Sequence, residues 1–211
     1  MVATLPEPGI IQGRFIRLEP LTRELLPALH AVIGHPEVFA GGYGGGPQGY
    51  RATVDEFVEW AETYYQWEGG LAFAIRIAGG PDDGTLIGTT TLGDLDPALE
   101  YAHIGWTAYD PRVWGTVVNP EAKLLLLTHA FDHGFGRIKI QADVRNSRSR
   151  AAIAKLGATF EGISRRDVPR ADGSWRDSAV FSIIVDDWPA VCAGLEERVA
   201  RLGANGPVVV N

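Results

Sequence analysis

The sequence predicts an α/β protein, a mixed sheet with helices on both faces. Two observations carry this. Strand-like runs and helix-like runs interleave along the chain in the order β-α-α-β-β-β-α-β-α-β-β-α. In addition, 211 residues that are 45% hydrophobic suit one domain with a sizeable core. We expect that domain to span residues 1–202, with residues 203–211 as a loose tail.

"GRFIRLEPL" reads as the first strand, and "TRELLPALHAVI" as a helix from Thr22 whose true start is blurred by Pro27. "AGGYGGGPQGY" is too rich in glycine for regular structure and reads as a mobile loop. Thr53 and Glu56 make a capping box, and Phe57, Val58, Ala61, Tyr64 and Tyr65 follow at helical spacing until Gly69-Gly70. "LAFAIRIA", the turn "GGPDDG", "TLIGTTTLGDL" and "LEYAHIGWTAY" give three further strands, the last ending at Asp110-Pro111.

"VWGTVVNPEAKLLLL" comes next. Asn119 is a good N-cap, Pro120 suits the first helical position, and Glu121 sits in the first turn of a helix that runs to about Gly134. Small or backbone-presenting residues lead into that helix start, a geometry able to receive a phosphate; an ordinary capped loop explains the same residues. "RIKIQADV" alternates as a strand, "NSRSRAAIAKLG" is a short helix opened by Asn and stopped by Gly, and two strands flank the turn "RADGS". "WPAVCAGLEERVARL" is the closing helix.

Composition narrows the function. A net charge of -7 argues against a general nucleic-acid binder and is mildly favourable for cationic partners such as amines. A single cysteine, Cys192, excludes an internal disulfide framework and a cysteine metal cluster, and fits a reducing cytoplasm. No apolar run approaches membrane-span length, and "MVATLPEPGI" lacks the regions of a signal peptide.

Several motifs have simpler explanations. Gly44, Gly46 and Gly49 spell G-x-G-x-x-G, but a helix precedes them and Tyr50-Arg51 intervene before the next one. His129 and His133 have zinc spacing without a third ligand, so they read as surface or cap histidines, and no metal is expected. Cys192 reads as a small core hydrophobe.

The segments "GRFIRLEPL", "HIGWTAYDPRVWGTVVNPEAKLLLLTHAFDHG", "NSRSRAAIAKLGATFEG" and "DGSWRDSAVFSII" resemble, in order and spacing, the GNAT superfamily of N-acetyltransferases. The likeness is greater to the branch of RimJ/RimL-type ribosomal-protein N-terminal acetyltransferases. It implies a mostly antiparallel sheet whose central strands splay apart, and acetyl-coenzyme A as cofactor. It further implies that Trp114, Gly115, Thr116, Val117, Val118 and Asn119 line the pyrophosphate, with Lys123 as a point charge one turn in. This branch usually has a second Gly where Val117 stands, which suggests a stiffer or wider turn. Asn146 and Ser149 match positions facing the pantetheine and the thioester, alongside their role as helix caps. Backbone N–H groups near Trp106, Thr107 and Ala108 would polarise the thioester carbonyl.

For the chemistry, His103 stands where the family often has a Glu base, although it could equally pack in the sheet. Ser149 is the available proton donor, since the position of the usual tyrosine acid is apolar around Ile153. Asp167 and Glu161 are further acidic candidates near the cleft. The loop 41–50 and the helix bearing Trp60 and Trp67 are placed by the acceptor entrance. The implied activity is transfer of acetyl to a primary amine, a protein N-terminus or a small molecule, directly in a ternary complex. Dimers are common among such relatives. The alternative is a catalytically degenerate module that binds coenzyme A or a partner protein.

Overall fold

In the strand-like run "LAFAIRIA", successive side chains are turned to opposite faces of the sheet, as the pleat requires. Phe73 and Ile75 enter one apolar cluster while Ala74, between them, enters another. The computed structural model describes residues 2–210, and its strands form one eight-stranded sheet. They are β1 (Ile11–Gln12), β2 (Ile16–Pro20), β3 (Leu71–Ile77), β4 (Leu86–Asp96), β5 (Tyr101–Tyr109), β6 (Arg137–Asp143), β7 (Thr159–Pro169) and β8 (Trp175–Ile184). The order across the sheet is β1-β2-β3-β4-β5-β6-β8-β7. Every neighbouring pair is antiparallel except β5 and β6, which run parallel.

A parallel pair needs a long crossover, and helix α4 (Val118–Asp132) supplies it. Before it in the chain come α1 (Leu26–Ile33), α2 (Pro36–Ala40) and α3 (Val54–Tyr64); after it come α5 (Ser147–Ala154) and α6 (Trp188–Gly203). Leu126 and Leu127 of α4 share a cluster with Leu195 and Val199 of α6. Leu26 and Leu29 of α1 share the other with Phe57 and Ala61 of α3. The sheet is thus covered on both faces, as expected.

The capping box forms with both of its bonds, Glu56 N–H to Thr53 Oγ1 at 3.3 Å and Thr53 N–H to Glu56 Oε2 at 3.2 Å. Elsewhere the structure corrects local expectations. The first helix does not start at Thr22; a 3-10 turn over Arg23–Leu25 precedes α1, and Pro27 falls in the first turn, where its missing N–H costs nothing. The short α2 and β1 carry too few periodic residues to stand out in sequence.

The glycine stretch at 41–50 is folded rather than loose. It forms 3-10 turns at Tyr43–Gly45 and Pro47–Gly49, and Gly44 is buried at φ 59°. A Cβ on Gly44 would lie 2.8 Å from the Phe39 ring and 3.0 Å from the Trp60 ring, so glycine here permits close aromatic packing. The last residues are likewise seated. Val208 is buried in the larger cluster, and the Val210 N–H donates to Asp82 Oδ2 at 3.0 Å.

Glu121 does more than complement the helix dipole. Its side chain is buried and accepts the Arg14 N–H at 2.7 Å and those of Phe15 and Ile16 at 2.9 Å. Those bonds fasten the start of β2 to the first turn of α4. Glu121→Ala strands three enclosed donors and is expected to lower unfolding stability by about 3 kcal/mol, read as a lower urea midpoint at unchanged slope.

Candidate functional site

The site follows from a register fault. Thr91 of β4 pairs with Gly105 of β5 and Thr89 pairs with Ala108, so β5 holds one residue more than β4 between the two pairs. Trp106, in that bulge, has φ 50°, a left-handed conformation costly for a tryptophan. A bulge bends its strand. The pairing of β5 with β6 ends at Ile104 and Ile140, although the strands continue to Tyr109 and Asp143. Beyond Ile104 the two strands part.

A cavity of about 320 Å³ opens in that gap. Its walls include Trp106, Thr107, Ala108, Trp114, Gly115, Asn119, Lys123, Asn146 and Ser149, so most of the expected cofactor residues converge there. Ile140, Ala142, Ile153 and Leu156 give it an apolar side. Tyr43 and Tyr64, from the glycine stretch and α3, reach it from the opposite face.

At one end of the cavity, α4 begins two residues earlier than expected. Val117 is the N-cap, and Asn119 lies inside the first turn, where its Oδ1 accepts the Tyr109 hydroxyl at 3.0 Å. Val117 sits in ordinary helical conformation and is buried with Val118 in the core, so the turn needs no second glycine. Thr116 also turns away, its hydroxyl donating to the Val113 carbonyl at 2.7 Å. These three can offer the cavity backbone alone. Among the described residues, the N–H groups of Gly115, Val117 and Asn119 meet no acceptor. Gly115 has φ 79°, and a Cβ there would meet nothing within 4 Å, so this corner is open. The Arg148 guanidinium lies 3.9 Å over the Trp114 ring at the same mouth. Free amides at a helix N-terminus beside a cation and an open glycine are the donor set of a phosphate seat.

The α5 start is built as expected. Asn146 Oδ1 accepts the Ser149 N–H at 2.9 Å, and its Nδ2 donates to the Gly41 carbonyl, which ties α5 to the glycine stretch.

Lys123 is not at the phosphate corner. It is 6% exposed, with Nζ donating to Thr107 Oγ1 at 2.9 Å and Thr90 Oγ1 at 3.4 Å, beneath β4 and β5. Burial lowers its pKa to about 7. Three consecutive threonines in an otherwise apolar buried strand, Thr89 to Thr91, were the sequence signal for a polar partner here.

His103 is enclosed rather than set on the cavity wall. Its Nδ1 lies 2.9 Å from Asp94 Oδ2, and its Nε2 has no partner among the described residues. Gly105, a cavity residue, stands beside it: a Cβ there would be 3.1 Å from Nε2. Burial lowers the His103 pKa, so the ring is neutral at pH 7. The hydrogen bond from His103 holds Asp94 down to about 2, and Gln66 assists by donating to Asp94 Oδ1 at 2.6 Å. Asp94 is a residue that sequence reasoning missed, because a one-residue match across two strands leaves no spacing signature.

Asp167 and Glu161 are not in the cavity. Asp167 is exposed on β7, accepting the Ser164 hydroxyl at 2.9 Å, with Arg176 at 3.7 Å. Glu161 pairs with Arg137 at the start of β6, the closed end of the strand pair. Trp60 stacks on Tyr64 at 4.2 Å, and Trp67 donates to the Ala61 carbonyl, so both serve the aromatic cluster. His129 and His133 sit together at the end of α4, with His133 Nδ1 at 2.7 Å from the His129 carbonyl. Cys192 is only partly buried on α6, not a core residue. Among the described residues no group of three or more His, Cys, Asp or Glu is placed to hold a metal, and no helix is long and apolar enough to cross a membrane.

Residues 16–159 match the family model described as "Acetyltransferase (GNAT) domain". The fold matches a candidate acetyltransferase from T. thermophilus with TM-score 0.80 and 32% identity, covering 92% of this chain and 99% of that one. A GCN5-related N-acetyltransferase from Brucella melitensis matches with TM-score 0.79 and 29% identity, over 93% and 88%. The fold is also shared with RimL, a ribosomal L7/L12 alpha-N-protein acetyltransferase solved with coenzyme A, with TM-score 0.68 and 20% identity over 84% and 99%. No curated protein matches.

The open corner at Gly115 yields a prediction. In Gly115→Ala the methyl group stands in the mouth of the cavity, and titration calorimetry is expected to show coenzyme A binding weakened roughly tenfold.

Proposed function

The chain belongs to the GNAT acetyltransferase family, and from that premise we propose that it transfers acetyl from acetyl-coenzyme A directly to a primary amine held in the same complex. The observation that carries the proposal is the parting of β5 from β6 beyond Ile104 and Ile140, with unengaged amides of α4 at the far end of the gap. Acetyl-coenzyme A supplies the activated acyl thioester; everything else falls to this chain's residues.

In this reading the N–H groups of Gly115, Val117 and Asn119 seat the diphosphate, with Arg148 beside them. Asn146 and Ser149 border the pantetheine. The bulged backbone at Trp106, Thr107 and Ala108 polarises the acyl carbonyl, because on its β6 side it has no strand to bond. His103, kept neutral by burial and oriented by Asp94, accepts the proton that the amine gives up, across Gly105 or through a water.

The acceptor we favour is an α-amino group, in the manner of the RimJ/RimL branch. Its reference pKa near about 8 needs far less help from a base than a lysine near about 10.4. The net charge of -7 supports a cationic acceptor. The single Cys192 supports a reducing, cytoplasmic setting, and a homodimer is what the resemblance to this branch implies.

Thiol release, screened over N-terminal peptides, aminoglycosides, polyamines and amino acids, tests the reading. Saturable release with one class, N-terminal peptides foremost, is the expected result. Binding of coenzyme A without turnover on any amine would favour a degenerate binding module instead. For His103 a pH profile is diagnostic. Its pKa lies below 6.5, so the base form is intact above that pH and kcat/KM is expected to fall only below it. His103→Gln is expected to lower kcat on the order of 100-fold and to remove that acidic limb.

A further inference from the structure

A buried amine with no counter-ion lies against the cavity, and neither the diphosphate seat nor the base uses it. Lys123 comes off α4 about one turn beyond Asn119, the last of the free amides, so it lies deeper than the phosphate corner. Its ammonium rests on the hydroxyls of Thr107 and Thr90, which lie 2.8 Å from each other. Thr107 is in the bulged segment of β5 and lines the cavity, where the proposed reading puts the acyl group.

Among the described residues, no charge of opposite sign compensates it. From β4 it faces Thr90, and from β5 it faces Thr107. Tyr109 is engaged with Asn119, and Glu121 on its own helix is bound to the β2 amides. The ionic groups across the cavity are Asp143 from β6, Arg148 from α5 and Arg176 from β8, and Asp143 is already paired with Arg170 at 2.7 Å. An unpaired ammonium in such a place favours whatever develops negative charge beside it.

We propose that Lys123, braced by Thr107 and Thr90, is the proton donor to the thiolate that leaves when the acyl group is transferred. The step balances. The amine nitrogen forms its bond to the acyl carbon, and the carbon–sulfur bond breaks with its electron pair going to sulfur. A proton passes from Lys123 Nζ to that sulfur, and the surplus proton of the amine leaves toward His103. Lys123 then regains a proton from solvent as His103 releases one. Ser149, the donor expected from sequence, is a poorer acid and engages the protein through its backbone N–H. Burial brings Lys123 to about 7, low enough to give its proton to an alkyl thiolate, whose own value is near about 8.5 for cysteine.

The proposal rests on the reading of the cavity as the acetyl-coenzyme A site, and its test separates the two. The ultraviolet absorbance of thiolate, followed through a pH titration of bound coenzyme A, reports charge beside the sulfur without turnover. In the wild type the bound thiol is expected to ionise about one unit lower than in Lys123→Met, because the ammonium favours its anion. Lys123→Arg keeps the charge but cannot give up its proton. It is expected to retain the low thiol pKa while kcat falls on the order of 100-fold and KM for acetyl-coenzyme A holds. Equal thiol titrations in wild type and a folded Lys123→Met would overturn the proposal, as would full activity in Lys123→Arg, which also serves should the methionine variant not fold. Failure of the wild type to bind coenzyme A would instead refute the cavity reading itself.

Discussion

The extra residue in β5 at Trp106 is the constraint on which the rest of the site depends. Two parallel strands in register bond along their whole length and leave no room between them. Because β5 bulges after Gly105, its pairing with β6 stops at Ile104, and the backbone beyond is turned onto a cavity instead of a neighbour. The cost is a tryptophan in left-handed conformation, held by packing against His103 at 5.1 Å between ring centroids. Strain of this kind persists where the surrounding structure over-determines it, and here the elements on both sides do so.

Those elements are fixed by bonds that span the fold. Glu121 holds the first turn of α4 to the β2 amides, so the helix end carrying the free N–H groups cannot drift from the sheet. Asn146 ties α5 to the glycine stretch, and the Ala171 N–H bonds the Gly45 carbonyl at 3.3 Å, bringing the β7–β8 turn to the same loop. The resulting cavity has a polar, amide-rich end, an apolar middle and an aromatic far side. That gradient suits a long ligand charged at one end and acylated at the other.

Much of this was legible in sequence because its signals are local. Period-2 runs gave the strands, Thr53 and Glu56 gave a cap, and "NPEAKLLLL" marked the crossover helix within two residues. Side-chain direction was not legible. The helix starts two residues early, so Val117 packs in the core, while Thr116 turns its hydroxyl to the Val113 carbonyl and Lys123 reaches Thr107 and Thr90 rather than the helix start. Asp94 and His103 meet through strand register across a hairpin, and Asp167 and Glu161 are removed from the cavity by the same kind of register on β7 and β8. The glycine stretch misled for a related reason: its glycines serve close approach to Phe39 and Trp60, not freedom of motion.

Amide hydrogen exchange with and without coenzyme A tests the central claim most directly, because it reads the backbone groups that the parted strands and the helix end leave without partners. Slowed exchange confined to residues 104–109 and 113–120, with the β6–β8 ladder unchanged, is the predicted result. Protection centred elsewhere, such as residues 50–63, or no protection at saturating coenzyme A, would contradict it.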